Sequence, residues 1–227
     1  MGIQLRVSIP DQPGALARVA QAIARAGADV ISVSVLESEA GRVIDDFRLR
    51  WPDGKNSKPL TDAVRSVMGV ELVGCRRTRW LLDGRPDLDL LTYLIAVPER
   101  GLETLVDMAP AALDADWAEL RPPARRLPAL YLTSATPHDE LAPESMPIRA
   151  AAWEDPSGAW AYFPLAALHS VLVIGRDGGP TFLRSEISHA ERVLDLAMKT
   201  LERVLRASGA PNAASELTAY LGHAEPA

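Results

Sequence analysis

Over the first 75 residues the apolar positions recur with two alternating periods. Ile3, Leu5, Val7 and Ile9 alternate with Gln4, Arg6 and Ser8, the spacing of a strand with one buried face. The run stops at Pro10. After the turn "DQPG" the period lengthens: Leu16, Val19, Ala20, Ile23 and Gly27 fall on one helical face, with Arg18, Gln21 and Arg25 on the opposite one. Gly27 closes this helix. Ile31, Val33 and Val35 then alternate with Ser32 and Ser34, and Val43, Phe47, Leu49 and Trp51 recur at even spacing. Two strands are therefore predicted, joined by a turn at "SEAG". Pro59 suits the first turn of a second helix, whose apolar set Leu60, Ala63, Val64, Val67 and Met68 steps by threes and fours up to Gly69. "VELVGC" supplies a fourth strand.

This order, βαββαβ, implies an antiparallel sheet with both helices on one face, the ferredoxin-like split βαβ arrangement. The opposite face carries Ser8, Ser32, Ser34 and Ile44 and is only half polar. That face, or the sheet edge, is the expected docking place for another subunit or domain.

Beyond it, "LDGRPDLD" reads as a linker. "LDLLTYLIAV" and "GLETLVDMAPAAL" are helical, with Leu88, Leu91 and Ile95 on one face of the first and Leu102, Leu105, Val106, Ala109 and Leu113 on one face of the second. Pro98 separates them. Short apolar runs in "ADWAELRP", "LPALYLTSA", "PIRAAAWEDPSGAWAYFPLA" and "HSVLVIGRDGGPTF" predict four or five strands, with hairpins at "DPSG" and "RDGG". A long helix follows. Ser185 or Ser188 can cap it, Glu191 completes a capping box with Ser188, and Ile187, Ala190, Leu194, Ala197, Leu201 and Val204 mark its buried face. The end, "ASGAPNAASELTAYLGHAEPA", is small and polar and is expected to be mobile except around Leu217 to Leu221.

Composition narrows the function. The 227 residues are 48% hydrophobic, enough for one large domain or two small ones. No apolar run reaches the roughly 20 residues of a membrane span, and "MGIQLRVSIP" lacks the features of a signal peptide, so a cytoplasmic protein is expected. The single Cys75 rules out an internal disulfide, and four scattered histidines form no metal-ligand spacing. Residues 1 to 80 carry 12 basic against 9 acidic residues, and 81 to 227 carry 12 against 21. The one tight basic cluster, "RRTR" at Arg76 to Arg79, reads as a solvated junction and not a nucleic-acid footprint. "GRDGG" lacks the patterns of a phosphate loop. His169 and His189 have acids or serines nearby but no readable catalytic triad. Trp117, Trp153, Trp160 and Tyr162 suit an aromatic core better than a pocket wall.

The turn at "DQPG" is the strongest chemical feature. Pro13 fixes its own φ, Asp11 can cap the free amides near it, and Gly14 lets the backbone approach another group closely. Backbone donors at the positive end of a helix suit a carboxylate, and Asp11 suits an ammonium; together they fit one end of a free amino acid. Asp11 as a plain helix cap, with Gly14 serving only packing, explains the same turn without a ligand.

The succession of a strand, D-x-P-G-x-L, a helix ending in "GADV" and a hairpin resembles the ACT domain, a regulatory module that commonly binds amino acids, over roughly residues 3 to 75. The resemblance implies a ligand at a subunit interface, held by the turn (Ile9, Pro10, Asp11, Gln12, Pro13, Gly14, Ala15 and Leu16) and by the start of the next strand (Asp29, Val30 and Ile31). Asp11 and Asp29 stand where amino-acid-binding relatives often carry Asn. Two carboxylates there repel a ligand's own carboxylate unless its ammonium lies between them.

Helices, then an antiparallel sheet, then a closing helix are similar to the GAF domain over roughly residues 87 to 206, most closely at "FPLAALHSVLVIGRDGGPTFLRSEISHAERVLDLAMKTLERVL". No cyclic-nucleotide signature is present, and the lack of a Cys after Cys75 excludes thiol attachment of a tetrapyrrole there. The expected fold class is α+β: an ACT-like domain at 1–78, a degenerate GAF-like domain at 79–207 and a flexible tail at 208–227. The resemblances imply a non-enzymatic regulatory or sensor protein, homodimeric through the ACT sheet, that binds an amino acid or similar small metabolite. Neither metal, cofactor, nucleic acid nor membrane is expected as a partner. The alternatives are an interaction protein without a ligand in either domain and, third, an enzyme with its chemistry in the second domain.

Overall fold

The computed structural model describes residues 2–79, 84–123, 128–133, 137–141 and 143–208. They fall into two compact units, one formed by residues 1–83 with Gly178–Ser185, the other by 84–177 with the residues from Glu186 onward. The first unit thus takes in a short segment from far along the chain. The tail expected at 208–227, with its Leu217 to Leu221 stretch, lies outside the described residues apart from Ser208.

In the first unit β1 (Gly2–Pro10), α1 (Ala15–Arg25), β2 (Asp29–Glu39), β3 (Arg42–Arg50), α2 (Lys58–Arg65) and β4 (Glu71–Thr78) follow in the predicted order. The sheet order is β2-β3-β1-β4 with every pair antiparallel, the ferredoxin-like topology. Ile3, Leu5, Val7 and Ile9 form one cluster with Phe47, Leu49, Trp51, Ala15, Val19, Ile23, Leu60 and Val64, so both helices cover the odd-numbered face of β1. Leu16 and Met68, expected in this core, are 42% and 87% exposed, Leu16 on the outer side of α1 and Met68 in the turn beyond the end of α2. The β2–β3 turn has Ala40 and Gly41 at φ 51° and 74°, the type I′ geometry whose twist matches a two-residue hairpin.

The even-numbered face of this sheet is not the uncovered surface expected from sequence. Gln4, Arg6, Asp46, Arg48, Arg76 and Thr78 are all buried. Cross-strand register explains how they satisfy one another: Arg6 lies opposite Asp46 on β3, and Gln4 opposite Arg76 on β4. Arg6 donates to Asp46 through Nε at 2.7 Å and Nη2 at 2.9 Å, the Gln4 amide donates to the same carboxylate, and Arg76 Nε donates to Gln4 Oε1. Arg76 therefore sits in β4 and not in a solvated junction; only Arg77 and Arg79 of "RRTR" are exposed. The segment Gly178–Ser185 lies over this face. Arg6 Nη1 donates to the Thr181 carbonyl at 2.8 Å, and a Cβ at Gly74 would stand 2.6 Å from Pro180.

The second unit contains α3 (Pro86–Ala96), α4 (Gly101–Ala112), β5 (Trp117–Arg121), β6 (Tyr131–Leu132), β7 (Ala151–Asp155), β8 (Gly158–Leu165) and β9 (Ser170–Arg176). Its sheet order is β6-β5-β9-β8-β7, again antiparallel. The long α5 (Arg184–Ser208) begins at the end of the segment that joins the first unit and continues here. Leu102, Leu105, Val106, Ala109 and Leu113 are buried as expected, together with Ala190, Val193, Leu194, Ala197, Leu201 and Leu205 of α5.

Four local expectations are corrected. Pro86 and Asp87, read as linker, open α3, with Asp87 paired to Arg85. The buried face of α3 is Leu90 and Leu94, while Leu88 and Ile95 are about half exposed. "RDGG" makes no hairpin: after β9 the chain turns through Gly178 and Gly179, at φ 79° and 93°, into the segment on the first sheet. Ser188 and Glu191 lie inside α5 and form no capping box; the Ser185 amide is instead taken by Glu37 Oε1 at 3.0 Å.

Candidate functional site

The chain leaves β1 at Pro10, and the Asp11 amide donates to the Gly41 carbonyl at 2.9 Å, fixing the turn beside the tip of the β2–β3 hairpin. The Gln12 amide donates to the Pro10 carbonyl at 2.8 Å, and the Ala15 amide to Gln12 at 3.1 Å. Gly14 then occupies the capping position of α1 at φ 83°, a conformation that disfavours any side chain. Among the described residues no side chain caps α1. The reading of Asp11 as a helix cap is thus corrected: its backbone is used by the hairpin, and its carboxylate is exposed.

Pro10 is half-buried, Gln12, Pro13, Gly14 and Leu16 are exposed, and Ile9 and Ala15 are in the core. The turn therefore presents backbone and a single carboxylate to solvent at the positive end of a helix. Sequence periodicity assigned Arg18 only to an outer helical face. Its guanidinium reaches back along the helix so that Nη1 lies 3.7 Å from the position of a Gly14 Cβ. It makes no ion pair with a described residue. An accessible cation over uncapped amides matches a carboxylate better than the backbone alone.

Asp29, Val30 and Ile31 open β2, where the Asp29 carboxylate pairs with Arg50 Nη1 at 2.6 Å. This ion pair is exposed on both sides and sets a positive charge beside the Asp29 carboxylate. Register separates this half of the expected site from the turn. Pro10 lies opposite Arg42 and Asp29 opposite Arg50, eight residues apart on β3, or roughly 26 Å at the rise of a strand. One chain does not bring the two halves onto one small molecule.

Asp45 was missed. It belongs by register to the core-facing side of β3, between Val43 and Phe47, and is 2% exposed with Oδ1 unpartnered among the described residues. Burial, and then the neighbouring Asp46 charge, raise its pKa. The alternation Val43-x-Asp45-x-Phe47 held this signal, an acid in an apolar register. The half-buried Cys75 has its thiol pKa pushed up by burial, which keeps it protonated and unreactive.

In the second unit Glu119 and Arg121 are fully buried on β5. Glu119 Oε1 accepts the His138 amide at 2.9 Å and lies 2.8 Å from its Nδ1, while Arg121 reaches Glu119, the His138 carbonyl and Asp139. The His138 ring stacks on Trp117, centroids 3.9 Å apart. Trp117 is core, as expected, and lies over Gly175, where a Cβ would stand 2.0 Å from its ring. His169, at φ 46°, and His189 are exposed and join no such cluster.

No helix among the described residues is long and apolar enough to cross a membrane. No curated protein sequence matches the chain. Two solved structures align over most of its length. One is an unknown protein from Galdieria sulphuraria, at 12% identity and TM-score 0.32, covering 92% of this chain and 93% of that one. The other is a formyltetrahydrofolate deformylase from Pseudomonas putida KT2440, at 12% identity and TM-score 0.33, covering 90% and 94%. Residues 3–50, the strand, turn, helix and hairpin just described, match the ACT domain family.

Proposed function

We propose that the protein is a non-enzymatic cytoplasmic regulator whose ACT domain binds an amino acid or a similar small carboxylate at the turn Ile9–Leu16. The observation that carries the reading is the uncapped start of α1 beneath Arg18, inside the stretch that matches the ACT family. Arg18 and the first-turn amides receive the ligand's carboxylate, and Asp11 its ammonium. Asp29, Val30 and Ile31 take part from a second copy of the chain, because the same chain holds them too far away. The edge strand β2, with Val33 and Val35 exposed, is the natural seam of that homodimer. The second unit, with α3 and α4 before its sheet and α5 after it, is a GAF-like partner domain, and ligand binding shifts the equilibrium between its arrangements.

A thermal-shift screen of the twenty amino acids tests this reading. At 100 times its dissociation constant a ligand adds about 2.7 kcal/mol, so at least one amino acid raises the Tm. Arg18→Ala and Asp11→Ala abolish that shift while changing the ligand-free stability by no more than about 0.5 kcal/mol, since neither side chain holds the fold. Absence of a shift with every amino acid favours the second reading, an interaction protein without a ligand. The Asp29–Arg50 pair supports that reading, because it already neutralises one proposed ligand group.

A further inference from the structure

The two strands β7 and β8 pair so that Trp153 lies directly opposite Trp160 and Ala151 opposite Tyr162. Side chains two apart share a sheet face, so Trp153 and Asp155 of β7 stand on the same side as Trp160 and Tyr162 of β8. The three rings pack against one another edge to face. Trp153 meets Trp160 edge to face at 5.6 Å and 85°, and meets Tyr162 at 4.5 Å and 64°. The packed rings form one continuous aromatic wall. Together with Glu140 and Glu144 from the chain leading into β7, they line a cavity of about 580 Å³, within the range of small-molecule sites.

Its chemistry is one-sided. No lysine or arginine is among the described residues that line it, and its charged groups are carboxylates. Asp155 is anchored at the β7–β8 turn by the Ser157 hydroxyl and amide, and these hydrogen bonds hold its pKa below the ordinary value. Trp160 is 6% exposed and its indole Nε1–H has no partner among the described residues. The chain that supplies Glu140 is pinned to β5 by the His138 and Asp139 bonds to Glu119 and Arg121, so the wall opposite the rings is held in place.

We infer that this cavity binds a small organic cation, an ammonium sheathed in methyl or methylene groups, on the faces of Trp153, Trp160 and Tyr162 with Glu140 and Asp155 as counter-charges. Electron-rich ring faces attract a cation with an apolar sheath, whereas a bare metal ion would need oxygen ligands converging at short distance. The site uses no residue of the ACT turn and stands independently of the function proposed for it.

The test titrates the full chain with choline and with tetramethylammonium, followed by tryptophan emission and calorimetry, alongside 3,3-dimethyl-1-butanol, the uncharged carbon counterpart of choline. Saturable binding of the cations is expected, with the alcohol at least roughly tenfold weaker. Trp153→Leu weakens choline by roughly fivefold or more. Glu140→Gln, an exposed change that cannot unfold the chain, weakens it less and makes the remaining affinity less sensitive to salt. The inference is overturned if neither cation saturates, if the alcohol binds as tightly as choline, or if a folded Trp153→Leu variant keeps wild-type affinity. It is also overturned if choline binding disappears in Arg18→Ala or Asp11→Ala and persists in Trp153→Leu, which would place the cation at the turn.

Discussion

Arg6 and Asp46 face one another across β1 and β3, and the guanidinium holds the carboxylate by two hydrogen bonds, with both side chains withdrawn from solvent. A pair of this kind costs much to desolvate, and removing one partner strands the other charge. Asp46→Ala and Arg6→Ala are each expected to lower stability by about 3–5 kcal/mol. The double change Arg6→Ala with Asp46→Ala should cost less than the sum of the single ones, read from urea midpoints. Additive losses would show that the two residues do not act as a pair.

Gly74 tests the segment that overlies this face. Its backbone needs no special conformation, but a Cβ would stand 2.6 Å from Pro180 Cδ and 2.9 Å from its backbone nitrogen. Gly74→Ala is therefore expected to destabilise by about 1–3 kcal/mol through overpacking. Hydrogen exchange should show the loss of protection concentrated in residues 178–185 and β4, and a uniform loss across the chain would contradict this account.

Asp45 gives the protein an unusual pH term. Its folded-state pKa is raised, so the folded chain still holds the proton where the unfolded chain has released it. That contribution to stability falls as pH rises from the ordinary aspartate range through the folded value, and returns in acid. Asp45→Asn should stabilise the protein at neutral pH by an amount on the order of 1 kcal/mol, with the difference vanishing toward roughly pH 4 and below. A difference that does not change with pH would assign the effect to shape and not to charge.

The separation of the turn from Asp29 yields a complementation experiment. If a ligand is held between two copies, Asp11→Ala and Asp29→Ala each lose the thermal shift, but a refolded equal mixture regains part of it. A mixed dimer has one doubly altered site and one intact site. An Asp29→Ala variant that keeps its shift would remove Asp29 from the site, and silent mixtures of two variants that each lose it would overturn the shared site.

Ala40 is the inexpensive position for gaining stability. It holds a left-handed conformation at φ 51° that disfavours alanine by roughly 1–2 kcal/mol, and Gly41 already occupies the second place of the turn. Ala40→Asn creates the Asn-Gly pair preferred in such hairpins and should raise stability by about 0.5–1 kcal/mol.

Local periodicity made much of this fold legible. The two spacings of the first unit located its strands, its helices and the odd-numbered core, because neighbours in sequence decide which face a residue takes. Register was not legible: Gln4, Arg6, Asp46 and Arg76 are ordinary polar positions until pairing sets them side by side. Nor could "RDGG" be recognised as a departure toward a different sheet, since its glycines suit a hairpin equally well. At the turn, the backbone cluster could be read from Pro13 and Gly14, but the reach of Arg18 depends on a side chain folding back along its helix. The aromatic cavity required knowing that Trp153 and Trp160 share a rung.

The segment Gly178–Ser185 has a consequence for how this protein can be cut or inherited. A piece ending near residue 83 would carry all four strands and both helices of the first sheet, and yet would leave Arg6 without its Thr181 acceptor and Gly74 facing water. The first unit is therefore not a detachable cassette: a transplant that keeps it intact must carry the eight-residue segment Gly178–Ser185 as well.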